Sequence, residues 1–189
     1  MSYVFKPAET PEEFDEIRRL NHRAFAEELG QHGVQANGFL IDPLERRSRY
    51  FVAIHRGSVA GMLCTHKDPP FTIEKRLPAS GVLDELPGPL LEVRLLAFDP
   101  AHRRQSALLG LLGCVFEEAR AQGFRTMLIS GVTLQLRLYR RLGFVPLGPP
   151  VPDGKARFVP MALDLDTVTE NLQVLWRRYR RRTSLTFLS

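Results

Sequence analysis

The segment at residues 90–98, Leu-Leu-Glu-Val-Arg-Leu-Leu-Ala-Phe, constrains the fold of this chain more than any other. Apolar residues occupy both its odd and its even positions, and Asp99-Pro100 follows directly, which predicts a buried β-strand that ends there. A strand that is apolar on both faces belongs in a sheet with helices packed on each side. The chain is therefore expected to fold as an α/β protein.

This predicted strand carries an acid and a base, Glu92 and Arg94, spaced to lie on the same face. Burying a charged pair is costly, and charged groups in apolar surroundings concentrate at functional sites. Glu92 and Arg94 are therefore candidate site residues. A structural ion pair between them is the alternative interpretation, and the two are compatible.

Hydrophobic periodicity predicts the remaining elements. The predicted strands are 3–8, 49–55, 58–66, 90–98, 125–130, 144–148 and 156–163, the predicted helices are 11–29, 108–119 (closed by Gly123) and 134–142, and single helical turns are expected at 43–47 and 72–76. This order predicts a single-domain α/β sandwich with a mixed, mostly antiparallel central sheet flanked by helices. The domain is expected at 1–165, with a C-terminal basic helix or tail at 166–189.

Composition and charge exclude several classes of function. The formal net charge is +5, and five arginines within 176–189 account for it, so the fold itself is not expected to bind nucleic acid. The chain has no apolar run of membrane-spanning length and no N-terminal signal pattern, which predicts a cytoplasmic protein. The two cysteines and five histidines show no ligand spacing, so we expect no metal and no tightly bound cofactor.

Two motifs resemble those of the GNAT superfamily of acyltransferases: residues 96–108, a strand, a turn and a helix start, and the Leu-Tyr-x-x-x-Gly-Phe element at 138–144. The resemblance implies that the first motif cradles a coenzyme A pyrophosphate through backbone amides and the helix dipole. The residues expected to contact the donor are Leu96, Phe98, Arg103, Arg104, Gln105, Ser106 and Leu108. A backbone N–H near 96–98 is expected to receive the oxyanion, and the Tyr139 hydroxyl to face the thioester sulfur.

The first motif departs from the family pattern, because Ser106 and Leu108 stand where two glycines are usual. A narrower resemblance fits this departure. Residues 23–30, Asp42 and Glu92-Val-Arg94 resemble parts of acyl-homoserine-lactone autoinducer synthases and N-acyl amino acid synthases, which accept long acyl chains from acyl carrier protein. Such a donor has no adenosine pyrophosphate, so it does not require the glycines.

The expected reaction is transfer of an acyl group, long-chain by this resemblance, from acyl carrier protein or acyl-CoA to the primary amine of an amino acid or similar small molecule. Glu92 is expected to act as base, with Arg94 beside it, and Tyr139 to protonate the leaving thiolate. Arg23 and Asp42 are candidates to bind the acceptor, and the basic tail a candidate to bind acyl carrier protein. The alternatives are an acetyl-CoA-dependent acetyltransferase and a non-catalytic binding module.

Overall fold

The computed structural model describes residues 3–103 and 105–168. The strands are β1 (Val4–Pro7), β2 (Arg49–His55), β3 (Ser58–His66), β4 (Leu90–Phe98), β5 (Thr126–Val132), β6 (Val145–Pro146), β7 (Val151–Asp153) and β8 (Ala156–Asp164). The α-helices are α1 (Pro11–Asn21), α2 (Gln105–Ala121) and α3 (Leu136–Arg141). Short 3₁₀ helices lie at Glu45–Arg47, Thr72–Arg76, Pro100–His102 and Thr133–Gln135.

Within the described residues the strands form one sheet in the order β1-β2-β3-β4-β5-β8-β6, with β7 also pairing with β8. All neighbours are antiparallel except β4 and β5, which are parallel. The predicted α/β architecture with a mixed, mostly antiparallel sheet in a single domain is confirmed.

Helices cover both faces of the sheet. On one face, Ile17 and Leu20 of α1 pack with Val52 and Met62. On the other face, residues of α2 such as Leu111 pack against strand positions of the opposite parity. The alternation along β2 and β3 therefore divides the apolar side chains between two cores.

The first helix begins where the sequence predicts and changes geometry before its end. Thr10 and Glu13 form a capping box, with Pro11 in the first turn. The predicted single helix over 11–29 is α-helical to Asn21 and continues as a π-helix at His22–Glu28. Gly30, with φ of +62°, ends it. A π-helical turn is rare and often lies at a functional site.

Two further differences from the sequence prediction are that α2 begins at Gln105 and that a 3₁₀ helix at Pro100–His102 precedes it. The short strand β7 was not predicted, because Pro149, Pro150 and Pro152 mask a strand pattern. Of the predicted basic helix or tail at 166–189, residues 169–189, which include its arginines, lie outside the described residues. No helix in the described ranges has the length and apolar character needed to cross a membrane.

We predict that Gly110→Ala destabilises the fold by about 1–2 kcal/mol. Alanine favours a helix by up to about 1 kcal/mol, but a Cβ at this position in α2 would overlap the ring of Phe5, and overpacking a core costs about 1–3 kcal/mol. Chemical denaturation measures the change. Gly33→Ala is the control, because the nearest atom to its new Cβ is 3.9 Å away.

If the clash is the cause, Phe5→Leu combined with Gly110→Ala will recover part of the loss. A Gly110→Ala protein that is more stable than the parent would contradict this packing analysis.

Candidate active site

The site lies where β4 and β5 stop pairing. Their parallel register runs from Leu90 with Thr126 to Val93 with Ile129. Just beyond, β4 contains one extra residue relative to β3, since Cys64 pairs with Arg94 and Met62 with Ala97. Leu95, inside this bulge, has φ of +53°, a conformation that costs a bulky residue about 1–3 kcal/mol. The bulge bends β4 away from β5 and opens a gap in the sheet.

A cavity of about 540 Å³, here called the central cavity, fills this gap. Apolar side chains from α2, β5 and β8, among them Leu112, Ile129 and Phe158, form one part of its wall. Charged and polar side chains form another, including Glu92, Arg94, Lys75, Arg76 and Asp153. The cavity thus offers an apolar compartment next to a polar one.

Glu92 is 1% exposed and its carboxylate is held by three donors. The backbone N–H of Thr72 donates to Oε2 at 2.8 Å, and the Thr72 hydroxyl and the Ile73 N–H donate to Oε1 at 2.6 and 2.7 Å. These bonds satisfy most of the buried carboxylate, while Oε2 keeps a free lone pair. Glu92 is therefore fixed in position and retains one site that can accept a proton or a water hydrogen.

Arg94 pairs with Asp42 rather than with Glu92, which corrects the ion pair considered from the sequence. Two nitrogens of Arg94 donate to the two Asp42 oxygens at 2.9 and 3.1 Å. Thr72 links Arg94 to Glu92, because the hydroxyl that donates to Glu92 also accepts a hydrogen bond from Arg94 Nε at 3.2 Å. Burial by itself would lower the pKa of Arg94, but the bonds to Asp42 raise it above its ordinary value.

Asp42 does not line the cavity. Its side chain is 3% exposed, and the Tyr50 hydroxyl donates to it at 3.1 Å in addition to Arg94. Burial, the neighbouring Cys64 thiol and Asp42 raise the pKa of Tyr50, and burial raises the pKa of Cys64 to about 12. This geometry gives Asp42 the role of holding Arg94, without contact to a molecule in the cavity.

Tyr139, on α3, stands between the central cavity and a second one. Its ring packs edge-on against Phe144, with centroids 6.3 Å apart, and against Gly131, where a Cβ would lie 2.8 Å from Tyr139 Cδ2. Burial raises the pKa of Tyr139 to about 12. The phenol therefore stays protonated at neutral pH.

The second cavity, here called the entrance groove, has a volume of about 860 Å³ and shares Leu96 and Tyr139 with the central cavity. Phe98, Arg103 and Leu108 line it as well. Arg103 bonds Glu28 at 2.6 Å and the Phe98 carbonyl at 3.1 Å.

The other residues that the sequence predicts to contact the acyl donor lie near the start of α2. Ser106 is half-buried there. Arg104 and the side chain of Gln105 lie outside the described residues, so the predicted pyrophosphate loop is only partly placed by the structure.

Arg23, the predicted acceptor-binding residue in the first helix, pairs with Asp99 at the end of β4. Its side chain is 46% exposed, and it lines neither the central cavity nor the entrance groove. The structure thus does not bring Arg23 and Asp42 together around a common ligand.

Sequence reasoning missed residues that line the central cavity together with Glu92 but come from other segments of the chain. Thr72 and Arg76 belong to a 3₁₀ helix, and Asp153 belongs to β7. The sequence predicted a helical turn at 72–76, but it gave no indication that this turn or β7 contributes to the site. Throughout the described part of the chain, no three His, Cys, Asp or Glu side chains group closely enough to hold a metal ion.

We predict that Asp42→Ala destabilises the protein by about 3–5 kcal/mol, because it leaves the Arg94 charge buried and unpaired. Denaturation in urea measures the loss. The matched control is Asp166→Ala, which breaks an exposed pair with Arg125 and should change stability by less than about 1 kcal/mol. Equal, small effects of the two substitutions would contradict the buried-pair assignment.

Known structures share this fold. The CoA-dependent acyl-homoserine lactone synthase BjaI, solved with MTA, superposes with a TM-score of 0.76 at 20% identity, covering 94% of this chain and 90% of that one. The AHL synthase LasI gives 0.72 at 16% identity, covering 89% and 91%. FeeM, an N-acyl amino acid synthase from uncultured soil microbes, gives 0.71 at 19% identity, covering 91% and 97%.

At these identities the likeness establishes the fold, and no curated protein matches the chain. A family model described as "Acetyltransferase (GNAT) family" matches residues 14–144. This range includes the bulged strand β4, the start of α2 and the whole Leu-Tyr-x-x-x-Gly-Phe element. The chain therefore belongs to the GNAT family of acyltransferase enzymes.

Proposed function

We propose that this protein transfers a long acyl group from a thioester, carried by coenzyme A or acyl carrier protein, to the primary amine of an amino acid or similar small molecule. The observation that carries the proposal is the junction of two cavities at Tyr139, with Glu92 on the wall of the central one. A thioester bound along the entrance groove would reach the gap between β4 and β5, and its acyl chain would lie against the apolar wall.

Glu92 serves as the base in this proposal. An amine with a pKa near 10 is mostly protonated at neutral pH, and it attacks a carbonyl only after losing a proton. The remaining lone pair on Oε2 can take that proton through a water molecule, since the other acceptor positions are occupied. The backbone of the bulge at 95–96 is the candidate position for an N–H that receives the oxyanion.

Tyr139 acts on the leaving sulfur. As the C–S bond breaks, the sulfur becomes a thiolate, whose ordinary pKa is about 8.5. Complete proton transfer from a phenol with a pKa of about 12 would be uphill by about 5 kcal/mol. A hydrogen bond from the phenol to the developing thiolate stabilises it without that transfer. The nitrogen loses a second proton as the C–N bond of the amide forms and the C–S bond breaks, and this proton ends on the thiolate to give the free thiol.

Two features bear on the donor. Arg103, Arg137 and Arg141 line the entrance groove, and a groove with guanidinium groups favours a phosphate-bearing molecule. Both coenzyme A and the phosphopantetheine arm of a carrier protein have phosphate. The similar structures include a CoA-dependent acyl-homoserine lactone synthase and an N-acyl amino acid synthase, which supports both the donor class and the amine acceptor.

A donor screen tests the proposal. Purified protein receives acetyl-CoA, long-chain acyl-CoA or long-chain acyl carrier protein, each with a pool of amino acids and small amines, and mass spectrometry identifies the products. We expect transfer from a long-chain donor. Transfer from acetyl-CoA alone would replace the proposal with an acetyltransferase, and no transfer from any donor would favour a binding module.

We predict that Glu92→Gln lowers kcat by about 100- to 10,000-fold, as expected for loss of a general base. Tyr139→Phe should lower kcat by about 10- to 100-fold, the range for loss of a hydrogen bond to a charged group. KM for the donor should change little with Tyr139→Phe, because the ring and its packing remain. Steady-state kinetics separates the two constants, and thermal unfolding confirms folding of each variant. A folded Tyr139→Phe protein with unchanged kcat would rule out the proposed role of the hydroxyl.

The pH dependence of stability tests whether the Tyr139 phenol is buried. The pKa of Tyr139 is raised in the folded state, from about 10 to about 12. Its contribution to stability is therefore complete below pH 10 and is lost as the pH rises through 12. Tyr139→Phe should reduce the fall in stability between these values, as measured by denaturation at a series of alkaline pH values. An unchanged alkaline slope would contradict burial of this phenol.

A further inference from the structure

The guanidinium group of Arg76 is held in a fixed orientation on the wall of the central cavity. It stacks over the ring of Phe158, 5.0 Å from the centroid, and it forms an ion pair with Asp153 through Nη2. Asp153 is itself positioned by Gln31, whose side-chain nitrogen donates to the same oxygen at 2.8 Å. The Arg76 side chain is 16% exposed, so most of its hydration has already been removed.

The contacts of Arg76 leave some of its N–H donors available to bind a further anion. Arginine has five N–H donors in a planar fork, and the contacts of Arg76 use Nη2 toward Asp153 and Nη1 toward Ser130 Oγ, the latter at a long 3.5 Å. Asp153 therefore orients the guanidinium group without using all of its N–H donors. A planar, partly dehydrated fork of this kind is suited to bind a carboxylate.

The position of Arg76 matches the place where the acceptor must bind. Ser130 follows Ile129, the last residue of β5 that pairs with β4, so the guanidinium lies beside the opening of the sheet. Thr72, one helical turn earlier in the same 3₁₀ helix, holds Glu92. A carboxylate on Arg76 would thus share the central cavity with the base.

The other cationic side chains on the described wall of this cavity are less suited to the role. Arg94 is occupied by Asp42 and Thr72. Lys75 is exposed, and an ammonium on a flexible stem is more strongly hydrated than a stacked guanidinium. Arg23, the cation expected from the sequence, lies outside the cavity and pairs with Asp99.

From these observations we propose that Arg76 is the specificity-determining residue for the acceptor, and that it binds the carboxylate of an α-amino acid group. The inference rests on the proposed acyl transfer to a primary amine. In an α-amino acid the amine and the carboxylate share one carbon, so binding the carboxylate at Arg76 places the amine toward Glu92 and the gap between β4 and β5. Simple amines and amino acid amides lack the anion and bind poorly.

The test compares each amino acid with its own primary amide, using the donor that is active in the screen. Both acceptors have the same side chain and a free α-amine, so they differ in the carboxylate alone. We expect the parent protein to use the acid with a kcat/KM about 10- to 100-fold higher than the amide, the range for a charge-assisted hydrogen bond. S-adenosylmethionine and its decarboxylated analogue form a second pair, which distinguishes this source of the α-amino acid group from free amino acids.

Variants then assign the effect to Arg76. Arg76→Gln should abolish the preference by raising KM for the acid much more than KM for the amide, and Arg76→Lys should restore part of it. Arg125→Gln, which removes an exposed charge paired with Asp166, is the matched control and should retain the preference.

The outcomes separate the two proposals. Transfer to acid and amide with equal kcat/KM would overturn the role of Arg76 while leaving the acyltransferase function intact. A preference that persists in folded Arg76→Gln would also overturn it. If Arg76→Gln fails to fold, the acid and amide comparison in the parent protein together with Arg76→Lys decides the question. No transfer from any donor to any acceptor would overturn both proposals.

Discussion

The early end of pairing between β4 and β5 is the constraint on which the rest of this structure depends. Parallel neighbours in the middle of a sheet normally continue to satisfy each other's backbone groups. Here the register ends at Val93 and Ile129, and the bulge at Leu95 directs the chain away. The resulting gap is the space into which α2 contributes Leu112 and α3 contributes Tyr139. Without the bulge the sheet would be closed, and neither cavity would exist in its present form.

Charge burial around this gap follows a consistent pattern. Each of these two buried charged groups is bound by a different segment of the chain. Glu92 accepts hydrogen bonds from the backbone of the 3₁₀ helix at Thr72–Arg76, and Arg94 pairs with Asp42 from the loop before β2. Thr72 joins the two sets through one hydroxyl. Such pairs add little net stability because desolvation offsets attraction. Their effect is to fix the direction in which each side chain points.

The sequence was sufficient to predict the fold because strand and helix periodicity depend on local residue order. The strands at 49–55, 58–66 and 90–98 have the predicted bounds, and Glu92 became a candidate site residue because it is an acid in an apolar run. The partners of these charges could not be predicted from the sequence, because Thr72 is brought to Glu92 by a loop whose residues follow no regular pattern. The same holds for Arg76 and Asp153, whose meeting depends on how two irregular segments pack. The π-helical turn at 22–28 also has no distinctive sequence signal.

The bond from Gln31 to Asp153 joins positions that are 122 residues apart. Contacts of this separation form only after a large loop has closed, and the entropy of that closure must be overcome first. The polar wall of the central cavity is therefore completed only when the hairpin of β7 and β8 docks against the end of the first helix, where Lys155 N–H bonds the Leu29 carbonyl at 2.8 Å. A chain that has formed its helices and the β1–β3 sheet, but not this hairpin, has its amino-terminal core in place and lacks part of the polar wall of the central cavity. The polar wall of the central cavity thus depends on docking of the last strands onto the amino-terminal part of the fold.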